Sequence, residues 1–313
     1  MRTVEVPSRE RIEIALGDSA YPPQLLDLPD PPSRLYVRGS TDVLAEPSLA
    51  VIGTRRATPY GFAVTELAAG LAAESGIVVV SGGAIGCDQC AGWEALKQGG
   101  KHIIVLGSGA DVVYPSTSEP LIEAALNQGG AVVSIVPWGT QPRPYLFPKR
   151  NRVIAALTRA VFVGEAGIPS GTFSTAETAE SIGREVLAVP GSIFSPNSKG
   201  SNYLLGSGAC CVACEEDLEC ALSRIFGTLR FCHGDAAAPM FDDPRCGRVM
   251  DALTASPMRS DEIARMLGLD ARGCLEFLSN LVIDGLVEQL VDGRYAPTKE
   301  ALHARTAFGH NRS

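Results

Sequence analysis

The stretch that decides the fold is "LAVIGTRRATPYG", residues 49–61. It opens with a short apolar run that ends in Gly53, and such a run predicts a buried strand. Helical spacing follows over residues 61–74, where Phe62, Leu67 and Leu71 can share one stripe. A buried strand that leads directly into a helix is the repeating unit of an α/β protein.

The same unit recurs along the chain. Further apolar strands are predicted at "GIVVVSGG", "HIIVLGSG", "AVVSIV", "AVFVGEA" and "EVLAVPG", with helical stretches between them. Strands without polar alternation are buried on both faces, which favours a parallel sheet between layers of helices. The sequence therefore predicts the α/β class, with a Rossmann-like, doubly wound, mostly parallel sheet over residues 48–225.

The chain on either side of this core differs in character. Residues 1–47 are rich in proline and predict an extended lead-in, with "RLYVRG" as an edge strand. Residues 226–243 predict a linker, and residues 299–313 a tail. Between these two, residues 244–298 predict a small winged-helix-like domain, because two helices precede a hairpin with an Asp-Gly turn.

The composition excludes several classes of protein. The chain has 313 residues, of which 45% are hydrophobic and 20% charged, as in a globular protein with a substantial core. Its apolar runs fall short of the roughly 20 residues that cross a membrane. The opening "MRTVEVPSRE" lacks the apolar region of a secretory signal. We therefore expect a cytoplasmic protein with no membrane contact.

Nine cysteines raise the question of a metal or redox site. Cys87 and Cys90 are spaced as C-x-x-C, and a second group comprises Cys210, Cys211, Cys214 and Cys220. A thioredoxin-like pair would need its own fold context, and a zinc site would need a second ligand pair. Cysteines also serve as small apolar side chains in a core. We expect thiols, no metal and no cofactor.

Four segments that follow predicted strands carry the polar chemistry. They are "VIGTRRATPYG", "SGGAIGCD", "FPKRNR" and "EAGIPSGTFSTAETA". Glycines let the backbone approach a ligand, helix N-termini offer free N–H groups, and arginines bind phosphate in bidentate geometry. In a parallel sheet all four segments fall at one edge, so they predict a phosphate-binding rim. The chain lacks G-x-x-x-x-G-K-[ST], which argues against a Walker-type nucleotide site.

One of these segments concentrates cations in a chain whose net charge is -8. If residues 150–157 form a helix, its buried stripe consists of Val153, Ile154 and Leu157. Arg150 lies one turn before that stripe. We expect Arg150 to point over the sheet edge and to pair with an acid, either Glu165 or Asp88. The alternative is that Arg150 is purely structural.

The other residues of this segment face outward. Lys149 and Arg152 lie on the outer side of the predicted helix, and we expect both to be free to contact phosphates. Phe147 precedes them and is expected to stack on a base.

The order and spacing of the motifs resemble the DNA-processing protein A family (DprA, also called Smf). The resemblance runs from about Ile14 to Leu222 and also includes "DSAYPPQLL", "VLGSGADVVYP" and "VPGSIFSPNSKGSNYLLGSGA". It implies a Rossmann-like core that binds single-stranded DNA and is not an enzyme. It also implies loading of the RecA recombinase in natural transformation and recombination, and a homodimer formed through the core.

The resemblance also implies where DNA binds. The family's pocket lies at the strand ends and corresponds here to Gly53, Arg55, Ser81, Gly82, Phe147, Lys149, Arg150, Asn151, Arg152, Ser170, Gly171 and Thr172, with Lys199 and Asn202 after the last core strand. Thr54 and Arg56 join this set from the first segment. Two departures bear on affinity rather than fold. Ile85 stands where the family commonly has Arg, and Gly92 stands where it has His.

An enzyme of another class is the alternative. Nucleotide phosphoribohydrolases of the Lonely Guy type and lysine-decarboxylase-like proteins share this Rossmann variant and use P-G-G-x-G-T-x-x-E, whose Glu acts on the ribose. The related stretch here is "PSGTFSTAE", with Thr175 at the position of that Glu. The four segments contain no His and no evident pair of carboxylates. The sequence therefore favours a binding protein.

The winged-helix segment has little charge for reading a duplex. Residues 244–298 contain six Arg, no Lys and eight acidic residues, which gives a net charge of -2. The expected recognition helix, "ARGCLEFLSNLVIDG", carries only Arg272 as a cation. A DNA-reading helix normally brings several cations to the phosphates. We therefore expect a protein-contact or structural role for this segment.

Overall fold

The central element of the computed structural model is one large mixed sheet. The structure describes residues 2–3, 10–227, 243–298 and 300–302. Before the winged-helix segment the strands are β1 (Arg2–Thr3), β2 (Ile12–Ala15), β3 (Arg34–Gly39), β4 (Ser48–Ile52), β5 (Val78–Ser81), β6 (His102–Val105), β7 (Val112–Val113), β8 (Ala131–Ser134), β9 (Ala160–Val163), β10 (Glu185–Ala188) and β11 (Cys210–Cys211). Nine of them form the sheet in the order β11-β10-β9-β4-β5-β6-β8-β3-β2, while β1 pairs with β7.

Seven strands of the sheet, from β11 to β8, are parallel. All five residues of β4 are buried, as are all four of β5, β6, β8 and β9. Their β-branched and small apolar side chains fit a sheet that is covered on both faces. The predicted α/β class and the mostly parallel sheet are confirmed.

Helices supply the two covering layers. They are α1 (Pro59–Glu74), α2 (Cys87–Lys97), α3 (Glu119–Asn127), α4 (Leu146–Leu157), α5 (Thr172–Ser181), α6 (Lys199–Gly206) and α7 (Glu215–Phe226). One core cluster packs α4 and α5 against one face of the sheet, and a second packs α1, α2 and α7 against the other. None of the described helices is both long and apolar enough to span a bilayer.

The start of the chain is part of this core. Strand β3, which contains "RLYVRG", pairs antiparallel with both β8 and β2. The prediction of an edge strand there is wrong, because β2 takes the edge position. Leu25, Leu35 and Val37 are fully buried in the core. The segment from residue 10 onward therefore extends and covers the sheet, whereas residues 1 and 4–9 lie outside the described part of the chain.

The C-terminal part is a winged helix. Its helices are α8 (Pro244–Ala255), α9 (Ser260–Leu267) and α10 (Ala271–Ile283), and its hairpin consists of β12 (Val287–Gln289) and β13 (Tyr295–Pro297). Gly293 turns the hairpin with a φ of 82°, a conformation that glycine adopts without strain. The predicted linker falls mostly on residues 228–242, outside the described residues. The predicted tail, residues 299–313, is described only at residues 300–302, where the prediction is wrong because they are helical and Ala301 and Leu302 are buried.

The topology creates a crevice at the carboxyl end of β4. The chain winds outward from β4 in both directions, because β5 pairs on one side and β9 on the other. Open α/β sheets bind ligands at such a switch point, beyond the carboxyl ends of the strands. The segments after β4, β5 and β9 meet here, together with the start of α4, which crosses over from β8.

Candidate nucleic-acid interface

The crevice contains two adjoining cavities. The larger, of about 380 Å³, lies between the segment after β4, the first turns of α4 and the start of α5. The smaller, of about 240 Å³, lies next to it, between three arginines and the segments around Ile85 and Tyr114. Both are lined by Arg55, Arg56, Ala84, Phe147 and Arg150. We call this pair of cavities the Arg150 crevice.

Arg150 is the central cation of the crevice. Its side chain is only 5% exposed, yet Nε and Nη1 have no hydrogen-bond partner among the described residues. Burial lowers the pKa of its guanidinium, and the negative charge of Asp88 opposes that effect. A buried guanidinium with open donors is costly unless an anion meets it. Because Nε and Nη1 are themselves closed off from solvent, the guanidinium is a candidate partner for a phosphate or another oxyanion once it turns toward the cavity.

Asp88 is the acid that faces Arg150. Its Oδ2 accepts hydrogen bonds from the backbone N–H groups of Gly82, at 3.0 Å, and of Ala84, at 3.4 Å. Burial raises the pKa of its carboxyl, against the attraction of Arg150. These bonds hold the turn after β5 around the carboxylate. Of the two acids expected for Arg150, the structure supports Asp88, as a charge neighbour.

Glu165 has a different task from the one expected. Its carboxylate accepts hydrogen bonds from the backbone N–H and the hydroxyl of Thr58, both at 2.8 Å. Thr58 is the N-cap of α1, so Glu165 holds the start of that helix against β9. The expected pairing of Glu165 with Arg150 is wrong.

Gly82 makes room for the Arg150 side chain. A Cβ at this position would lie 1.3 Å from Nη1 of Arg150. Gly53 is similarly closed in, because its Cβ would lie 2.6 Å from the Cys87 sulfur. Both glycines are therefore required by close packing beside the crevice.

Ser81 was expected in the binding set, but it lies beneath the crevice. Its side chain is fully buried. Its hydroxyl donates to the carbonyl of Asp88 at 3.0 Å and lies 3.2 Å from Nε2 of His102. Ser81 therefore supports the turn that carries Gly82 and cannot reach a ligand. The expectation of a direct contact is wrong, because the strand still faces the core at this residue.

The segment after β4 lines the larger cavity as expected. The backbone of Thr54 is fixed between two neighbours, since its N–H donates to Glu165 O at 2.7 Å and its carbonyl accepts from Cys87 N at 3.2 Å. Arg55 and Arg56 follow and are both exposed. The guanidinium carbon of Arg55 lies 5.8 Å from the ring centre of Phe147. Two further cations therefore stand beside Arg150.

Phe147 lies on a helix rather than in a loop. Helix α4 begins at Leu146, four residues before the predicted start, so "FPKRNR" forms its first turns. The ring of Phe147 is half-buried and tilts against Tyr114, with centres 5.9 Å apart. It forms an aromatic wall of both cavities.

The two outward cations of α4 differ from each other. Lys149 is exposed, and its Nζ lies 5.8 Å from the ring centre of Tyr145. Arg152 donates hydrogen bonds to both carboxylate oxygens of Asp30. The expectation that Arg152 is free is therefore wrong. Its partner comes from 122 positions away in the sequence, so no local pattern could reveal the pair.

The start of α5 forms the opposite wall of the larger cavity. Nδ2 of Asn151 donates to Gly171 O at 3.2 Å and to Ser174 Oγ at 2.7 Å, which ties α4 to α5. The Ser170 hydroxyl donates to Thr172 Oγ1 and accepts from Thr172 N. Ser170, Gly171 and Thr172 all line the cavity, as expected, and the Thr172 side chain is buried.

Lys199 and Asn202 lie away from the crevice, on α6. Neither lines either cavity. The amide of Asn202 makes paired hydrogen bonds with the backbone of Gly191, at 2.9 and 3.0 Å. Asn202 thus fixes the loop after β10, while Lys199 is exposed at the start of α6. The crevice does not include these two residues.

Sequence reasoning missed two residues that line the crevice and one acid beside it. Tyr114 and Pro115 line the smaller cavity from the segment after β7, and Asp30 approaches α4 from the N-terminal segment. The motif "GSGADVVYP" contains Tyr114 and Pro115 and was a usable signal. No sequence motif around Asp30 indicated that this residue would approach α4.

The eight cysteines in the described part of the chain form no recognisable site. Cys87 is buried, and burial raises the pKa of its thiol to about 12, which leaves it unreactive. The thiol of Cys90 donates to Phe62 O at 3.8 Å. Across residues 2–3, 10–227, 243–298 and 300–302, no cluster of three or more His, Cys, Asp or Glu side chains is placed to hold a metal ion.

Two family models match the chain. The model of the family described as "DNA recombination-mediator protein A" matches residues 13–223, and that of the "DprA winged helix domain" matches residues 235–293. The chain is 40% identical over 202 residues to the DNA processing protein DprA of Streptococcus pneumoniae, a match that covers 64% of this chain and 71% of that protein. It is 40% identical over 198 residues to Protein Smf of Escherichia coli, covering 63% of this chain and 53% of that protein. The chain therefore spans about half the length of the E. coli relative.

Two solved structures are similar as well. The X-ray structure of DprA from S. pneumoniae aligns with a TM-score of 0.62 and 38% identity, covering 67% of this chain and 75% of that one. DNA processing protein A from Helicobacter pylori aligns with a TM-score of 0.61 and 31% identity, covering 68% of this chain and 97% of that one. The description of the H. pylori structure refers to its single-stranded DNA binding mode.

Proposed function

Since the chain belongs to the DNA recombination-mediator protein A family, we propose that it binds single-stranded DNA at the Arg150 crevice. The observation that carries this proposal is Arg150, which lines a cavity of about 380 Å³ and whose buried guanidinium has two nitrogens without a hydrogen-bond partner. A strand phosphate supplies the oxygens that these donors need. The known binding mode of the H. pylori relative supports the same ligand.

The surroundings of Arg150 suit a flexible strand. Arg55, Arg56 and Lys149 are exposed around the crevice, so they can contact neighbouring phosphates. Phe147 and Tyr114 offer aromatic surface on which a base can stack. The whole chain carries a net charge of -8, so these local cations must provide the attraction. Cationic side chains that contact the DNA backbone, combined with aromatic side chains that stack on bases, bind single strands without strong sequence preference.

The wider role rests on the family. We propose that the protein forms a homodimer through its core and loads the RecA recombinase onto single-stranded DNA during DNA uptake and recombination, in the cytoplasm. The exposed ring of Tyr203 on α6 gives some support for a contact surface on the core, because large exposed apolar groups often mark interfaces. The exposed Leu275 and Ile283 on α10 likewise suit a protein contact by the winged helix.

We propose that this activity is not enzymatic. Thr175, at the position where the phosphoribohydrolases have their Glu, is buried in α5 and carries no acid. Asp88 accepts backbone hydrogen bonds from its own turn, and Glu165 is engaged with Thr58. Release of adenine during incubation of the protein with AMP would favour the enzymatic alternative.

The test measures binding of a fluorescent oligo-dT strand by anisotropy at several salt concentrations. Arg55→Glu should weaken binding and flatten its salt dependence, because about 0.7 counterion is released for each phosphate contact on a single strand. Arg159→Glu is the matched control, since Arg159 is also exposed but precedes β9 at the opposite edge of the sheet. Equal effects of the two substitutions, or none from either, would refute the assigned site.

The recombinase step needs its own assay. Single-stranded DNA covered with single-strand-binding protein resists RecA, so the rate of strand-dependent ATP hydrolysis by RecA reports loading. Wild-type protein should raise that rate, and Arg55→Glu should not. A wild-type protein that binds the strand but leaves the rate unchanged would remove the loading role while leaving DNA binding in place.

A further inference from the structure

The ion pair between Arg152 and Asp30 places an acid on the outward side of α4, beside the Arg150 crevice, since neither residue lines either cavity. Arg152 lies two residues after Arg150 on α4. Its Nη1 donates to Asp30 Oδ2 at 2.9 Å, and its Nη2 donates to Oδ1. This bidentate geometry is the one that a guanidinium also uses for a phosphate group. Asp30 thus occupies the donors that a DNA strand would need.

Asp30 acts on a second cation of the same surface. The pKa of the Asp30 carboxyl is lowered mainly by its hydrogen bonds from Arg152, and the charge of Lys149 lowers it further. Lys149 and Arg152 are the two cations on the outward side of α4. One carboxylate therefore faces both of them.

The pair is too exposed to lock the fold. The Asp30 side chain is 70% exposed and that of Arg152 is 35% exposed. Ion pairs in water contribute little to folding because solvent screens them and both side chains lose freedom. A strand phosphate can therefore displace Asp30 at little cost.

A second pair in the same segment provides a comparison. Asp27 lies three positions earlier and accepts from Nη2 of Arg184, whose side chain is only 18% exposed. Arg184 directly precedes β10, so this pair lies toward the amino edge of the sheet. Asp27 and Asp30 thus carry the same charge in one short segment, but only Asp30 lies beside the outward cations of α4.

We propose that Asp30 is an internal competitor for the DNA phosphate, and that it limits the affinity for single-stranded DNA. In the free protein Arg152 is neutralised by Asp30. In the complex the phosphate takes over the guanidinium, and the Asp30 carboxylate is released to water. This inference rests on the proposed function, because it assumes that the strand follows α4.

The test compares Asp30→Asn and Asp30→Ala with Asp27→Asn. Wild type and variant make the same Arg152 contact to phosphate in the complex, so the slope of log affinity against log salt should change little. Removing an exposed competitor of this kind should tighten binding of oligo-dT about two- to fivefold at low salt. Asp27→Asn removes the same charge and should leave affinity and slope as in wild type. Thermal melting confirms that all three variants are folded.

A double variant shows whether Asp30 acts through Arg152. In an Arg152→Gln background, Asp30→Asn should no longer tighten binding. The inference is overturned if the gain persists in that background, if Asp27→Asn gives the same gain, or if Asp30→Asn and Asp30→Ala bind as wild type does. Failure of the wild-type protein to bind single-stranded DNA would instead refute the proposed function, and the inference with it.

Discussion

Replacing Gly82 by Ala tests the position of the Arg150 guanidinium directly. The added methyl group would lie 1.3 Å from Nη1 and 2.3 Å from the guanidinium carbon, so the two groups cannot coexist. Because these atoms end a flexible side chain, the guanidinium can swing outward. We expect the free energy of unfolding to fall by only about 1–2 kcal/mol, as in mild overpacking.

The effect on DNA binding should be larger. Moving the guanidinium removes a buried, charge-assisted contact to phosphate, and such contacts contribute about 1.5–3 kcal/mol. Affinity for oligo-dT should therefore fall roughly tenfold to a hundredfold. Fluorescence anisotropy measures that loss, and urea denaturation followed by circular dichroism measures stability.

Gly171 provides the matched control for this substitution. It lines the same cavity, but a Cβ added there would meet nothing within 4 Å. Gly171→Ala should therefore leave stability close to that of wild type and reduce affinity far less. If Gly82→Ala melts and binds as wild type does, Arg150 does not occupy the position described, and the phosphate site built on it is wrong.

Three other predictions follow from the same structure. Burial lowers the pKa of His102 to about 4, so the unfolded chain takes up its proton first as the pH falls. The free energy of unfolding should decrease by about 3 kcal/mol between roughly pH 6.5 and pH 4, and His102→Gln should flatten this dependence in urea denaturation at each pH. Phe147→Ala should weaken oligo-dT binding by about 1–3 kcal/mol with little change in salt slope, and an altered slope would argue against base stacking. Sedimentation at micromolar concentration should show a dimer, and monomer alone would contradict the proposed assembly.

The fold was predictable where burial leaves a local signature. Strands β4, β5, β6, β8 and β9 are buried on both faces, so each appears in the sequence as an uninterrupted apolar run. Strand β3 gave no sign of its place in the sheet, because its partners β2 and β8 pair antiparallel from different parts of the chain. Helix α4 begins before Pro148, at Leu146, because the first turn of a helix tolerates proline.

The site was predictable to the extent that sheet topology determines it. Arg55, Arg150 and Gly171 came together because parallel strands end at one edge. The partner of Arg152 could not be predicted, since Asp30 reaches it only through tertiary packing. The burial of Ser81 was hidden for a related reason: the sequence shows that a strand ends, but not at which residue the chain leaves the core.

The two departures from the family pattern have different consequences. Position 92 is buried on α2, and a Cβ there would lie 2.7 Å from Nε2 of His102. The imidazole of His102 thus fills the space beside Gly92, so the absence of a His at position 92 removes no cation from the crevice.

His102 instead begins a chain of contacts that leads to the crevice. Its Nε2 lies 3.2 Å from the Ser81 hydroxyl, and that hydroxyl donates to the carbonyl of Asp88, whose carboxylate faces Arg150. The side chain of Ile85 is 51% exposed and lines the smaller cavity. An arginine at that position would add a cation directly at the crevice. Of the two positions, therefore, only Ile85 lies at the crevice, whereas Gly92 makes room for His102 beneath it.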